Sequence, residues 1–107
     1  MKILIVDDEE TCLDDVGAAL LPTGYACLKS NSSKKALKMV KTDASIDVVI
    51  TDVRMPEMDG IELLKAIKKE RPSVEVIVMT AYGDLKTAIA SINNRAYAFF
   101  AKPVNFQ

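Results

Sequence analysis

Five short apolar runs punctuate this chain, and segments of helical period separate each from the next. The runs fall at residues 3–6, 25–28, 47–51, 74–79 and 97–101. The first, Ile3, Leu4, Ile5 and Val6, has no polar position, the mark of a strand buried on both faces. Between the runs, residues 10–21 place Cys12, Leu13, Val16, Ala19 and Leu20 on one stripe, ended by Pro22 and Gly24. Ser32 and Ser33 cap a second helix that turns Ala36, Leu37 and Val40 inward and Lys34, Lys35, Lys38 and Lys41 outward. Residues 60–70 carry Leu63, Leu64 and Ile67 on one face, with Pro72 just beyond. Leu85, Ala88, Ile89 and Ile92 share the face of a fourth helix, closed by Asn93 and Asn94. Strand and helix alternating four times, then a last strand, predict an α/β fold: a five-stranded parallel sheet between two layers of helices. At 107 residues, with no linker or repeat, residues 1–107 read as one domain.

Composition excludes much of the chemistry this fold can host. The chain has no histidine, so no imidazole base, triad or phosphohistidine carrier can be built from it. Cys12 and Cys27 match no metal or redox spacing; they read as small core residues in a reducing compartment. A net charge of −1 argues against a nucleic-acid or membrane-surface binder. The apolar stretch before Asp7 is too short for a signal peptide, and no later run could span a bilayer, so a soluble cytoplasmic domain is expected. The four glycines fit neither a P-loop nor a dinucleotide fingerprint.

In open parallel sheets, sites form outside the carboxyl ends of the strands. Asp7 and Asp8 follow the first run, Asp52 the third, Thr80 the fourth and Lys102 the fifth. Singly, each has an ordinary explanation. Asp7 and Asp8 suit the amino end of the next helix, Asp52 a turn, Thr80 a local cap and Lys102 a counter-ion. Together, four strands deliver complementary groups to one edge. Three carboxylates repel unless a cation joins them, and an all-oxygen site without histidine favours a hard ion such as Mg²⁺. A carboxylate on such an ion can attack a phosphoryl group, with a lysine and a hydroxyl stabilising its oxygens. The residues point to phosphoryl chemistry on an aspartate.

The motifs ILIVDDEE, VVITDVRMPEMDGIELL, VIVMTAYGD and the Lys102-Pro103 pair resemble the receiver domain of two-component response regulators, nearly from end to end. The resemblance implies a flavodoxin-like strand order 2-1-3-4-5 and a phosphoryl group received from a histidine kinase or phosphotransfer protein. It implies Asp52 as phosphoacceptor, Asp8 as direct Mg²⁺ ligand, Asp7 acting largely through water, and the Arg54 backbone carbonyl as a further ligand. Thr80 is similar to the switch hydroxyl, Lys102 to its charge partner and Phe99 to the switch aromatic. Arg54 and Tyr82 stand where the family tunes the lifetime of the phosphoryl group. Pro56, Asp59 and Gly60 match the turn that presents the loop. The implied protein is not a turnover enzyme; it promotes transfer to its own aspartate, loses the group slowly, and controls an output domain or partner.

Two features depart from the family. Arg95, Ala96 and Ala98 replace a frequent Gly-Ala turn and acid. The sequence also stops at Gln107, where receivers continue into a fifth helix, so that helix is expected to be missing or truncated. The sheet face beside the first helix is then expected to expose apolar surface, hidden by a homodimer, an exchanged element or a neighbouring domain. Three rival readings remain: a phosphorylation-independent interaction module, a phosphatase-type hydrolase, and nucleic-acid binding through the lysine face. Arg54 stands where the hydrolase would need its second carboxylate. A lysine face on a helix is usually just solvated, so any DNA contact belongs to an output domain.

Overall fold

The computed structural model describes residues 1–80 and 85–102. The elements are β1 (Lys2–Val6), α1 (Glu10–Leu20), a 3-10 turn (Leu21–Thr23), β2 (Ala26–Ser30), α2 (Ser33–Thr42), β3 (Val48–Asp52), α3 (Gly60–Glu70), β4 (Glu75–Thr80), α4 (Leu85–Asn93) and β5 (Ala98–Ala101). The strands form one sheet in the order β2-β1-β3-β4-β5, and every pair is parallel. Parallel neighbours cannot be joined by a tight hairpin, so each connection crosses over through a helix. All five carboxyl ends therefore point the same way.

Two cores hold the sheet. Leu4 and Val6 face one layer with Ala36, Val40, Leu63, Leu64 and Ile67. Ile3 and Ile5 face the other with Leu13, Val16 and Leu20. This explains the unbroken apolar run at residues 3–6, because alternate side chains go to opposite cores and neither face meets water. Burying a side chain such as Leu4 or Ile5, both fully buried, contributes roughly 1.5–3 kcal/mol. Asp7 is the first residue past this anchored strand.

The expected strands are present, with ends displaced by one or two residues. The largest shift is at β2, expected over residues 25–28 and found at Ala26–Ser30. Its register against β1, from Lys2 beside Ala26 to Val6 beside Ser30, sets those ends. As an edge strand it is only half covered, so its apolar pattern is weak. β3 and β4 each run one residue later than expected, so Asp52 and Thr80 are the last residues of their strands.

Three side-chain expectations are corrected. Cys12 and Cys27 are half-buried rather than core residues. Ala19 is exposed, and α1 buries only Leu13, Val16 and Leu20. On α4, Ile89 and Ile92 are 50% and 70% exposed, while Ser91 is fully buried. The Ser91 hydroxyl donates to the Thr87 carbonyl at 2.9 Å, which satisfies it within the helix and lets a polar side chain face inward. The helix ends at Asn93, as expected, and Arg95 in the turn beyond it takes φ 65°.

Among the described residues, α1 alone covers its face of the sheet. Beside it lies an open apolar groove of about 360 Å³, lined by Ile3, Leu20, Val48, Ile50, Ile77 and Tyr97 among others. No helix of the described residues is long and apolar enough to cross a membrane.

Candidate functional site

The carboxyl edge of the sheet gathers the charged residues that follow the apolar runs. Asp7 leaves β1 fully buried, Asp52 ends β3 nearly buried, and Asp8 is exposed. One carboxylate oxygen from each of Asp7, Asp8 and Asp52 lies within 4.8 Å of the others. Lys102 reaches in from the end of β5. Its Nζ donates to Asp7 Oδ2 at 2.7 Å and lies 3.3 Å from Asp52 Oδ1. The Lys102 backbone N–H donates to the Thr80 carbonyl at 2.7 Å, fixing the stem of the lysine to β4. Thr80 is itself buried, one position beyond Met79, which pairs with Asp52 in the register.

The ordinary explanation offered for Asp7 is also true. Its Oδ1 accepts from the Glu9 backbone N–H at 3.0 Å just ahead of α1, while its other oxygen serves Lys102. One carboxylate thus orders the turn that leads into α1 and lines the site.

The loop after Asp52 is tightly turned. The Val53 N–H donates to the Met79 carbonyl at 3.0 Å, and the Gly60 N–H donates to the Val53 carbonyl at 2.7 Å. A Cβ on residue 60 would overlap the Asp52 carbonyl oxygen and crowd Val53 Cα. Gly60 is therefore required by close backbone approach. Asp59 and Glu62 form a reciprocal capping box at the start of α3, a signal that D-x-x-E spacing carries in the sequence.

Burial raises the pKa of Asp52, and the neighbouring Asp7 charge raises it further; Lys102 and the Val53 N–H only partly offset this. For Lys102, burial opposes the charge, but the hydrogen bond to Asp7 and the charges of Asp52 and Asp7 outweigh it. Its pKa stands above the ordinary value, so the ammonium persists. The site carries more negative charge than its one lysine neutralises, and a clustered all-oxygen donor set of this kind fits a hard divalent cation.

The structure therefore brings Asp7, Asp8, Asp52 and Lys102 together, with Thr80 at the end of the next strand. Phe99 is half-buried against the larger core. Arg54 is exposed. Tyr82 and Pro103 lie outside the described residues. The sequence reading missed Cys12, whose Sγ accepts from Lys102 Nζ at 3.6 Å. No local signal could have found it, because its partner Lys102 lies 90 positions away in the sequence. Burial, then the Asp7 charge, raises its pKa, so it contributes a neutral thiol.

A doubly wound parallel sheet with an aspartate cluster and a lysine at its carboxyl edge defines a class of phosphoryl-handling domains. Within that class, the chain belongs to the response regulator receiver domain family, whose model matches residues 3–107. It is 39% identical over 106 residues to the transcriptional regulatory protein ZraR of Escherichia coli, covering 99% of this chain and 24% of that protein. The chain thus spans about a quarter of that regulator's length. Among solved structures, a response regulator receiver domain from Clostridium thermocellum superposes with TM-score 0.90 at 39% identity, over 97% of this chain and 83% of that one. The beryllofluoride-activated NtrC4 receiver domain dimer superposes with TM-score 0.89 at 35% identity, over 97% and 85%.

Proposed function

We propose that the chain, residues 1–107, is a receiver unit that accepts a phosphoryl group on Asp52 and relays its arrival to an output. The observation that carries this reading is Lys102, whose ammonium touches both Asp7 and Asp52 beside a third carboxylate. The donor is a histidine kinase or phosphotransfer protein, which supplies the imidazole this chain lacks. An Asp52 carboxylate oxygen attacks phosphorus, the P–N bond of the phosphohistidine breaks, and its electron pair stays on the imidazole nitrogen, which then takes up a proton. Lys102 stabilises the charge on the transferred oxygens, and Thr80 turns its hydroxyl toward one of them.

Asp7, Asp8, Asp52 and the Arg54 carbonyl are the residues that would hold Mg²⁺. When bound, Mg²⁺ neutralises charge on the phosphoryl oxygens and on the carboxylates. Movement of Thr80 and Phe99 carries the signal from the site to the α4 and β5 surface. Arg54 and Tyr82, two positions after Asp52 and Thr80 in the sequence, set how slowly water removes the phosphoryl group. The chain is a stoichiometric acceptor acting in the cytoplasm, and its output is a domain or partner protein rather than direct nucleic-acid contact. Self-association into a homodimer over the apolar groove beside α1 would cover Tyr97, which is 71% exposed.

The test is intact mass at neutral pH after incubation with acetyl phosphate and Mg²⁺. One phosphoryl adduct, dependent on Mg²⁺ and absent from Asp52→Asn, is expected. A folded chain that takes up no adduct would favour a phosphorylation-independent interaction module.

A further inference from the structure

The loop that follows Asp52 contains a backbone conformation that its own sequence does not favour. Glu57 sits at φ 70°, and the Met58 N–H donates to the Pro56 carbonyl at 2.8 Å, closing a three-residue γ-turn about Glu57. Turns of this sign are rare and strained, and a non-glycine residue stays in one only where its surroundings hold it there. Here the surroundings are supplied by the first turn of α2. The Ser33 hydroxyl, in a residue only 2% exposed, donates to the Met58 carbonyl at 2.6 Å. The next residue, Lys34, lies 3.2 Å from the Glu57 carboxylate. Two consecutive residues of α2 thus grip two consecutive residues of the turn, across 25 positions of sequence.

The gripping end of α2 is itself tied to the site. The Ser30 carbonyl accepts from the Asp7 N–H at 3.1 Å, and the Ser30 hydroxyl donates to the Ser32 carbonyl at 2.8 Å. Ser32 caps α2 by accepting from the Lys35 N–H at 3.3 Å. A continuous set of bonds runs from Asp7 through Ser30, Ser32 and Ser33 to Met58. It joins the two loops that carry the carboxylates, and neither Ser33 nor Lys34 reaches the carboxylate cluster itself.

We propose that Ser33, assisted by Lys34, is a positioning residue that holds the strained turn after Asp52 and so presets the loop for Mg²⁺ and phosphoryl binding. This rests on the function proposed above. Ser33 is the stronger of the two contacts, because its hydroxyl belongs to a buried residue and its bond is partly shielded, whereas Lys34 and Glu57 are 64% and 62% exposed and their pair is screened. Losing the Ser33 bond leaves every proposed ligand in place but lets the turn relax. The ordering of residues 53–60 must then be completed when the ion binds, which weakens binding.

The experiment compares the parent with Ser33→Ala, Ser33→Thr, Lys34→Ala and Glu57→Gly. Two readouts are used: the Mg²⁺ dissociation constant by calorimetry, and amide hydrogen exchange of residues 53–60 in the metal-free protein. Ser33→Ala is expected to weaken Mg²⁺ binding about fivefold, the size of one net hydrogen bond, and to speed exchange at Met58 and Gly60. Ser33→Thr, which keeps the hydroxyl, is expected to recover most of both. Glycine adopts positive φ freely, so in a Glu57→Gly background the Ser33→Ala effect is expected to fall below about twofold. Lys34→Ala, an exposed change that leaves the fold intact, is expected to weaken Mg²⁺ binding about twofold and to speed the same amides, even if Ser33→Ala fails to fold.

A purely structural Ser33 would lower the unfolding midpoint without moving the Mg²⁺ constant or the exchange of that loop, and this would overturn the proposal. A parent that takes up phosphoryl on Asp52 while folded Ser33→Ala matches it in both readouts would refute the clamp and leave the function standing. A parent that takes up none, with Mg²⁺ binding still weakened by Ser33→Ala, would refute the function and leave the clamp standing.

Discussion

The Lys102 ammonium lies 2.7 Å from Asp7, a carboxylate with no exposure to solvent, so the first and last strands of the sequence are joined by a charge pair across the middle of the sheet. Lys102 is also the cation beside Asp52, at 3.3 Å. Replacing it by methionine keeps the stem but leaves two carboxylates facing each other. Removing one partner of a buried pair typically costs 3–5 kcal/mol. Lys102→Met is expected near the lower end, about 3 kcal/mol by urea unfolding in chelator, with Mg²⁺ restoring part of the loss. Its phosphorylation by acetyl phosphate should fall at least about a hundredfold. An unchanged unfolding midpoint in chelator would show that the pair is not coupled to folding.

Asp52 has the opposite effect on the metal-free fold. Burial, and then the Asp7 charge, raises its pKa in the folded state. A raised carboxyl favours folding below its unfolded pKa, and that advantage is lost as pH rises through the folded value. At neutral pH the ionised Asp52 therefore destabilises the fold. Asp52→Asn is expected to unfold at a higher temperature than the parent in chelator at pH 7, with the gap narrowing as pH falls toward 4. Calorimetry at the two pH values checks the sign. A lower midpoint for the variant at pH 7 would contradict it.

At the opposite end of the sheet, Asp43 accepts from Lys2 at 2.7 Å and from Ser45, and the Lys2 bond leads in holding its pKa down at about 2. A depressed carboxyl contributes stability that is present above its unfolded pKa and lost as pH falls through the folded one. Asp43→Asn is expected to be less stable than the parent at pH 7, with most of the gap gone by pH 2. Urea titrations at both values measure the difference. A gap that persists unchanged in acid would assign the effect to something other than this charge.

Gly60→Ala tests the packing behind the phosphoacceptor. The added Cβ would overlap the carbonyl oxygen of Asp52, and both obstructing groups are backbone. Overpacking of this kind costs about 1–3 kcal/mol, and here the loop must move with Asp52. A loss of about 3 kcal/mol with weaker Mg²⁺ binding is expected. A variant with parental stability and binding would show that the loop yields freely.

The sheet and its site were legible for the same reason. Strands buried on both faces read as unbroken apolar runs, and the first charged residue after the first, third and fifth runs lands at the carboxyl edge. Asp7, Asp52 and Lys102 needed nothing more than this. Strand ends were less legible, because hydrophobicity marks what is buried while ladder register sets where pairing stops, as Ala26 beside Lys2 shows. Helix α4 misled because Ile89 and Ile92 have the spacing of a buried face, yet the helix turns Ser91 inward. Cys12 and Ser33 carried no local signal of their roles, since each acts on a residue 90 or 25 positions away. Arg71 is a further case: its guanidinium donates to the carbonyls of Val40, Asp43 and Ala44 and seals the end of α2. Nothing in the sequence beside Arg71 announces those partners.

The most direct test of the central claim is to locate the phosphoryl group chemically. After treatment with acetyl phosphate and Mg²⁺, borohydride reduces an aspartyl phosphate to homoserine, and peptide sequencing by mass spectrometry reads the modified position. Conversion at residue 52 alone, lost when Mg²⁺ is withheld, is the result expected. Conversion at Asp7 or Asp8, or none in a protein shown to be folded, would contradict the assignment of Asp52 as the phosphoacceptor.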